Sequence, residues 1–307
     1  MKEEYGMKEH WRKGMKRVSD VAYWLLLVAM GMGMLYMVAT VFWVAKFKIP
    51  SDSMEPALLE GDYLLVEKLT MGARLFDLKP AFAKEEFDIY RMPALGKVER
   101  NDILVFNYPF PTRKDSIAFD VMLYYVKRCI ALPGDTLEIR NAHYLINGKD
   151  SGGNIEAQER LERLFREKRT KEYGIVTRSY PRDRKVGWSI REMGPLYLPR
   201  KGDRLPMNRM NYLLYYPLIE WETGRDLVWV NDSLVTSGGE RLETYRFENN
   251  YYFVSGDKME NSKDSRYWGL LPEPYIVGRA WLIWKSVDEW GNMRWDRIGR
   301  IEKMGLE

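Results

Sequence analysis

The chain runs to 307 residues, 46% hydrophobic and 30% charged, an ordinary globular composition sized for one or two domains. Lys and Arg number 48 against 44 Asp and Glu, and the resulting +4 is too small for the concentrated basic face of a nucleic-acid binder. One cysteine, Cys129, excludes an intrachain disulfide, and two histidines, His10 and His143, leave little for a zinc centre or a histidine-based triad, so neither metal nor cofactor is expected.

Residues 1–20 form a short N-terminal segment carrying Arg12, Lys13, Lys16 and Arg17. Residues 21–45 hold no charge, and as a helix they would be ~37 Å long, enough to cross a ~30 Å hydrocarbon core. Trp24 and Trp43 stand near the two ends as interfacial aromatics do. The apolar run is too long for a cleavable signal peptide, so it reads as a retained anchor. Cations before the span outnumber Lys46 and Lys48 after it, which predicts a cytoplasmic N-terminus and an extracytoplasmic domain on a single-pass inner or cytoplasmic membrane protein.

Beyond the anchor, segments 63–69, 102–108, 121–132, 136–140 and 143–148 are short, rich in branched and aromatic residues and bounded by Gly, Pro or Asn, as are 226–236, 244–257 and 275–286. The spacing predicts a mostly β domain, a barrel or folded sheet. Within 155–173, Leu161, Leu164 and Phe165 fall at helical spacing among dense charges, which predicts one amphipathic helix. That helix opens a Gly-, Pro- and charge-rich stretch, 149–243, read as an inserted subdomain away from the chemistry. The catalytic core is then 46–148 together with 244–307.

Three segments could carry chemistry. In IPSDSMEPALLEGD (49–62), Ser51 and Ser53 bracket Asp52, and Pro56 stiffens the loop just beyond. A lone Ser-x-Ser loop is more often turn chemistry. In YYVKRCIALPGD (124–135), strand alternation sends Lys127 and Arg128 to opposite faces. A lysine held on an apolar face loses basicity, although one that snorkels to solvent does not. Cys129, in the same apolar run, reads as a core residue. The third segment, SGDKMENSKDSRYWGLLP (255–272), gathers acids, serines and Arg266, and Asp264–Arg266 reads as an ion pair closing a loop.

Taken together, the order and spacing of these boxes resemble the bacterial type I signal peptidases, membrane-anchored serine peptidases with a Ser–Lys dyad. The family's S-x-S-M-x-P motif follows the span here as Ser51 to Pro56, its Y-[VI]-K-R box is Tyr125 to Arg128, and its late G-D…N-S-x-D-S-R box is Gly256 to Arg266; NDILVFNYP (101–109) matches a further box in part. Ala57, Ala131 and the run Lys258, Met259 and Glu260 depart from the usual pattern. The resemblance implies Ser53 as nucleophile, Lys127 as general base, the Ser51 hydroxyl and Ser53 N–H as oxyanion hole, and Ser262 as the group that orients the lysine. Asp264 and Arg266 would be structural support, with Ile49, Met54, Leu58, Tyr125 and Val126 lining the substrate site.

The implied substrates are secreted precursors with small residues at the −1 and −3 positions, cut beside the lipid bilayer; nucleic acid, metal and cofactor have no part. The competing classes are a catalytically silent anchored relative that binds secreted or unfolded chains, and a Ser–Lys peptidase that cleaves itself or a regulatory partner. The presence of both Ser53 and Lys127 weighs against the first, and agreement over several boxes against the second.

Overall fold

The structure is a computed structural model that describes residues 2–77, 79, 89–113, 115–150, 152–230, 233–236 and 238–301. Helix α1 (Lys2–Phe42) contains Asp20–Phe42, a stretch of mean hydropathy 2.2 that is long and apolar enough to cross a membrane. It stops short of the expected limit at residue 45. Trp43 N–H closes the last turn on Ala39 O at 2.9 Å, and from Val44 the chain alternates and pairs as a strand.

Residues from Ala45 onward form a compact unit of their own. Its main sheet comprises β1 (Val44–Lys48), β2 (Asp62–Glu67), β3 (Ile103–Asn107), β4 (Tyr124–Ala131), β5 (Tyr251–Ser255), β6 (Leu271–Pro272), β7 (Ile276–Ser286) and β8 (Gly299–Arg300). The spatial order is β1-β2-β7-β3-β4-β5-β6, with β8 on β7, and every pair whose register is resolved is antiparallel. The expected barrel does not close: β1 and β6 are separate edges. Strand β6 pairs only through Tyr251↔Pro272 and Tyr252↔Leu271, and Pro272 has no N–H with which to extend a ladder. Register shifts in β7 at Ala280/Leu282 and Ile283/Lys285 bend that long strand as it crosses β2.

The sheet is covered on both faces. Along β3, Leu104 and Phe106 enter the larger hydrophobic core while Ile103 and Val105 enter a smaller one, following the two-residue strand period. The smaller core is built from Ile49, Met54, Ala57 and Leu58 of the serine loop against Leu64, Val66, Val277 and Ile283. The loop is thus seated on apolar contacts instead of projecting into solvent.

The predicted helix appears as α2 (Ile155–Arg166), capped by the Asn154 side chain, which accepts from Ala157 N–H at 3.0 Å. It buries Leu161 and Leu164 as its spacing requires, and ends earlier than 173. A second helix, α3 (Arg209–Thr223), was not expected, because Pro217 interrupts a pattern that is apolar nearly all round. Its ends are nonetheless signalled: Asn208 caps the N-terminus, and Gly224 takes the left-handed conformation (φ 63°) that closes the C-terminus. Leu214, Tyr215 and Leu218 of α3 join the larger core that holds Leu104 and Phe106, so residues 149–243 share a core with the main sheet.

Candidate active site

Lys127 lies on β4, paired with Leu104 of β3, and its side chain is 4% exposed. Its Nζ donates to Ser53 Oγ at 2.7 Å and to Val126 O at 2.9 Å, and stands 5.6 Å from the centroid of the Tyr125 ring. Burial is the main influence on the amine. It lowers the pKa to about 8 against the opposing pull of Asp264 and Asp257, with Arg266 assisting and Asp52 opposing. A serine hydroxyl hydrogen-bonded to a desolvated, weakly basic amine is the arrangement that nucleophilic catalysis without histidine requires.

As strand alternation predicts, Arg128 faces the other way. Its Nε and Nη2 donate to the two oxygens of Asp257 at 2.7 and 2.5 Å, and its Nη1 donates to Asn101 O at 3.0 Å. The buried pair fixes the start of the turn that follows β5, where desolvation raises the Asp257 carboxyl despite Arg128. Asp264 and Arg266 form a second pair with side chains at 0% exposure, joined by two bonds of 2.8 Å. Burial pushes the Asp264 carboxyl up, but the Arg266 guanidinium and the Gly256 N–H outweigh it and hold the carboxyl below its ordinary value. Arg266 Nη2 also donates to Met259 O at 2.9 Å. Asp264 caps the short helix α4 (Ser265–Trp268) and reaches Gly256 and Ser255, so the whole late box is one fastened loop.

A cleft of about 1630 Å³ opens at the dyad. Ile49, Ser51, Ser53, Met54, Tyr125, Val126, Lys127 and Ser262 all line it. Ser51 is exposed at the cleft. Three expectations differ from the structure. Leu58 is fully buried in the smaller core and is not a cleft residue, because the turn that begins at Met54 rotates it inward, with Leu58 N–H bonded to Met54 O at 2.9 Å. Among the described residues no hydrogen bond joins the buried Ser262 hydroxyl to Lys127; the hydroxyl acts on the Asp264 carboxyl instead, and the amine is turned toward Ser53 and the Val126 carbonyl. The stretch 149–243, read as remote, supplies Ile175, Arg178, Tyr180, Arg182 and Tyr216 to the cleft wall.

Two other residues fall where the sequence suggested. Cys129 is buried, and desolvation raises its thiol well above the ordinary value, which suits a core residue and not a nucleophile. His143 begins a strand and faces Glu162 at 3.3 Å, apart from the cleft.

Sequence reasoning passed over two supports. Arg297 Nη2 donates to Asp62 Oδ2 at 2.8 Å and to Ala57 O at 3.0 Å, while Asp62 also accepts from Leu59 N–H at 2.9 Å, so the far end of the serine loop is tied to the C-terminal segment. Arg297 lies outside the quoted segments, and Asp62, although it ends the serine segment, carries no local signal of this tie. Gly256 lies within the late box, where nothing local signals how closely the serine loop approaches it.

A family model described as signal peptidase, peptidase S26, matches residues 21–285. The chain belongs to that family. It is 29% identical to the signal peptidase I of Buchnera aphidicola subsp. Acyrthosiphon pisum over 275 residues, covering 83% of this chain and 74% of the relative. With the signal peptidase I of Pseudomonas aeruginosa it shares 26% identity, over 86% of this chain and 72% of that one. The Aquifex aeolicus signal peptidase I is 28% identical, with 78% and 75% covered. A crystal structure of a signal peptidase I from Enterococcus faecalis covers 61% of this chain and 98% of its own at 21% identity and a TM-score of 0.26. The activity of this S26 peptidase is therefore serine endopeptidase cleavage that removes signal peptides.

A Cβ at Gly256 would overlap Ser53 O and Ser262 Oγ and lie 2.7 Å from Ser262 Cβ. Gly256→Ala is expected to cut kcat by ~10²-fold through displacement of Ser53, and to cost about 1–3 kcal/mol of stability. Unchanged kcat in a steady-state cleavage assay, with an unchanged thermal midpoint, would refute that fit.

Proposed function

We propose that Ser53 is the nucleophile and Lys127 the general base of this signal peptidase. The observation that carries the proposal is the 2.7 Å bond between Lys127 Nζ and Ser53 Oγ in a site where burial brings the amine to a pKa of about 8. The neutral amine takes the Ser53 proton as Oγ attacks the scissile carbonyl carbon. The oxyanion that forms is received by the Ser53 N–H and the Ser51 hydroxyl; loss of one such donor typically costs ~10²–10³ in rate. When the C–N bond breaks, the Lys127 ammonium protonates the leaving amine and the signal peptide stays esterified to Ser53. Lys127 then takes a proton from the water that attacks the ester and returns it to Ser53 Oγ as the C–Oγ bond breaks, which restores the dyad and releases the signal peptide as an acid that ionises in solvent. Val126 O and Ser53 Oγ engage two N–H groups of the ammonium form. Ser262 lines the same cleft and is assigned to accept the third once the ammonium forms.

Small side chains at −1 and −3 fit a wall in which Ile49 and Met54 are already held by the core, leaving shallow relief beside Ser53. The chain limits follow the same reading, with the span shortened to the helix observed: the N-terminal segment cytoplasmic, the apolar stretch ending at Phe42 in the membrane, the residues from Val44 to 148 and 244–307 the extracytoplasmic catalytic core, and 149–243 an insertion within it. The excess of cations before the span supports that orientation. Trp281 and Trp284 are 41% and 38% exposed on β7, and Trp290 and Trp295 are 81% and 73% exposed beyond it, a set suited to resting on a bilayer surface. No observation favours the silent-relative reading, since the hydroxyl and amine it would lack are in contact.

Three outcomes are expected. Cleavage of a purified Ala-x-Ala precursor disappears in Ser53→Ala and Lys127→Met, and native kcat/KM rises with pH to a plateau above about 8, because only the neutral amine acts as base; survival of activity in Lys127→Met would eliminate the assigned base. The same variant gains stability. Folding lowers the amine from 10.5 to about 8, a penalty present in full below pH 8 and gone above 10.5, so Lys127→Met should stabilise by about 1–3 kcal/mol at neutral pH in denaturant titrations, with the gain shrinking as pH rises through that window. Finally, Trp281→Ser/Trp284→Ser should weaken flotation of residues 45–307 with anionic liposomes; undiminished flotation would remove these tryptophans from the lipid surface.

A further inference from the structure

Lys258 takes no part in the steps above, yet it holds the nucleophile loop at three points. Its Nζ donates to Asp52 Oδ2 at 2.5 Å and to Glu55 Oε2 at 2.8 Å, and its N–H donates to Ser53 O at 3.1 Å. Asn261 Nδ2 adds bonds of 3.0 and 3.1 Å to the two Asp52 oxygens. The adjoining Glu260 faces Arg160 of α2 at 2.7 Å, which ties the same turn to the stretch 149–243. Two of the positions at which this chain departs from the usual family pattern are therefore partnered within this molecule.

We infer that Lys258 is a positioning residue, which clamps the Ser53 loop to the 256–262 turn and offsets the charge of Asp52 beside the nucleophile. The inference rests on the Ser53–Lys127 reading. Its force comes from the set of charges around Lys127. Asp264 at the cap of α4, Arg266 within it, Asp257 in the turn after β5 and Asp52 in the nucleophile loop all act electrostatically on the amine, and the Tyr125 ring lies beside it on its own strand. Each of these acids meets a cation: Arg266 on Asp264, Arg128 on Asp257, and on Asp52 the Lys258 that it shares with Glu55. The first two pairs are buried, whereas Lys258 and Asp52 are partly exposed, so this third pair can be altered without opening the core. Without Lys258, the Asp52 carboxylate acts on Lys127 uncompensated and holds the proton that the base must lose. The hydrogen bonds from Lys258 also lower the Asp52 carboxyl, so it remains ionised throughout the working range.

The test is the pH profile of kcat/KM for the full-length protein in detergent, acting on a precursor peptide with an Ala-x-Ala site. It compares the native chain, Lys258→Gln, Lys258→Arg and the double variant Asp52→Asn/Lys258→Gln, with Ser53→Ala as control. Lys258→Gln should lower kcat severalfold with little change in KM, and move the acid limb upward by roughly half a pH unit or more. Lys258→Arg should restore the native limb, and the double variant, which removes Asp52 together with Lys258 and leaves only Glu55 unpaired, should return the limb toward native. A limb unmoved in Lys258→Gln overturns the inference even if the rate falls, since a purely structural clamp would alter rate alone. A limb that moves in Lys258→Arg as far as in Lys258→Gln overturns it too. Should Lys258→Gln fail to fold, Lys258→Asn is read by the same criteria. Activity retained in Ser53→Ala would instead strike the dyad reading, so the two failures are distinguishable.

Discussion

A lysine amine kept out of water is the constraint around which this domain is organised. Burial is the main influence on Lys127, and it lowers the amine far enough for a useful share of it to be neutral near physiological pH. That environment needs protein on both faces of the sheet, and β3 and β4 provide it: alternate residues of β3 enter separate cores, and Lys127 pairs across to Leu104 in the middle of that covered region. It also needs the neighbouring carboxylates to be neutralised, since each would otherwise keep the lysine protonated. Arg128 and Arg266 meet that need from within the core, each bound by two hydrogen bonds to its acid.

Ser53, the proposed nucleophile, is held with comparable firmness by different means. Its loop rests on a hydrophobic cluster of its own through Ile49, Met54, Ala57 and Leu58. Arg297 and Asp62 fasten one end, and the 256–262 turn fastens the other through the main-chain bond from Lys258 to Ser53 O. Gly256 lets the two segments approach more closely than a Cβ would allow. In the proposed reaction a serine confined in this way would meet the lysine without reorganisation, which is where preorganised sites gain rate.

Much of this was legible in the residues. The uncharged run 21–45 required a membrane-length helix, and the short branched and aromatic segments required a sheet. Alternation at Lys127 and Arg128 required opposite environments for two adjacent cations, and both environments exist. What escaped reading depended on partners far apart in the chain. Helix α3 is nearly apolar all round and carries Pro217, so periodicity is silent about it. The contribution of 174–182 to the cleft has no local signature, because Gly-, Pro- and charge-rich chain looks alike whether it lines a site or a surface.

The sequence by itself determined the apolar span, the β character of the domain, the kinds of groups able to do chemistry and the order in which they occur, since these follow from composition, period and spacing. Tertiary structure alone decided that Ser53 and Lys127 touch across 74 positions, that the sheet stays open, that Leu58 turns inward, and which cation answers which carboxylate. Those outcomes depend on register and packing between distant segments, and an amine's basicity or a charge's partner is a property of that assembled environment.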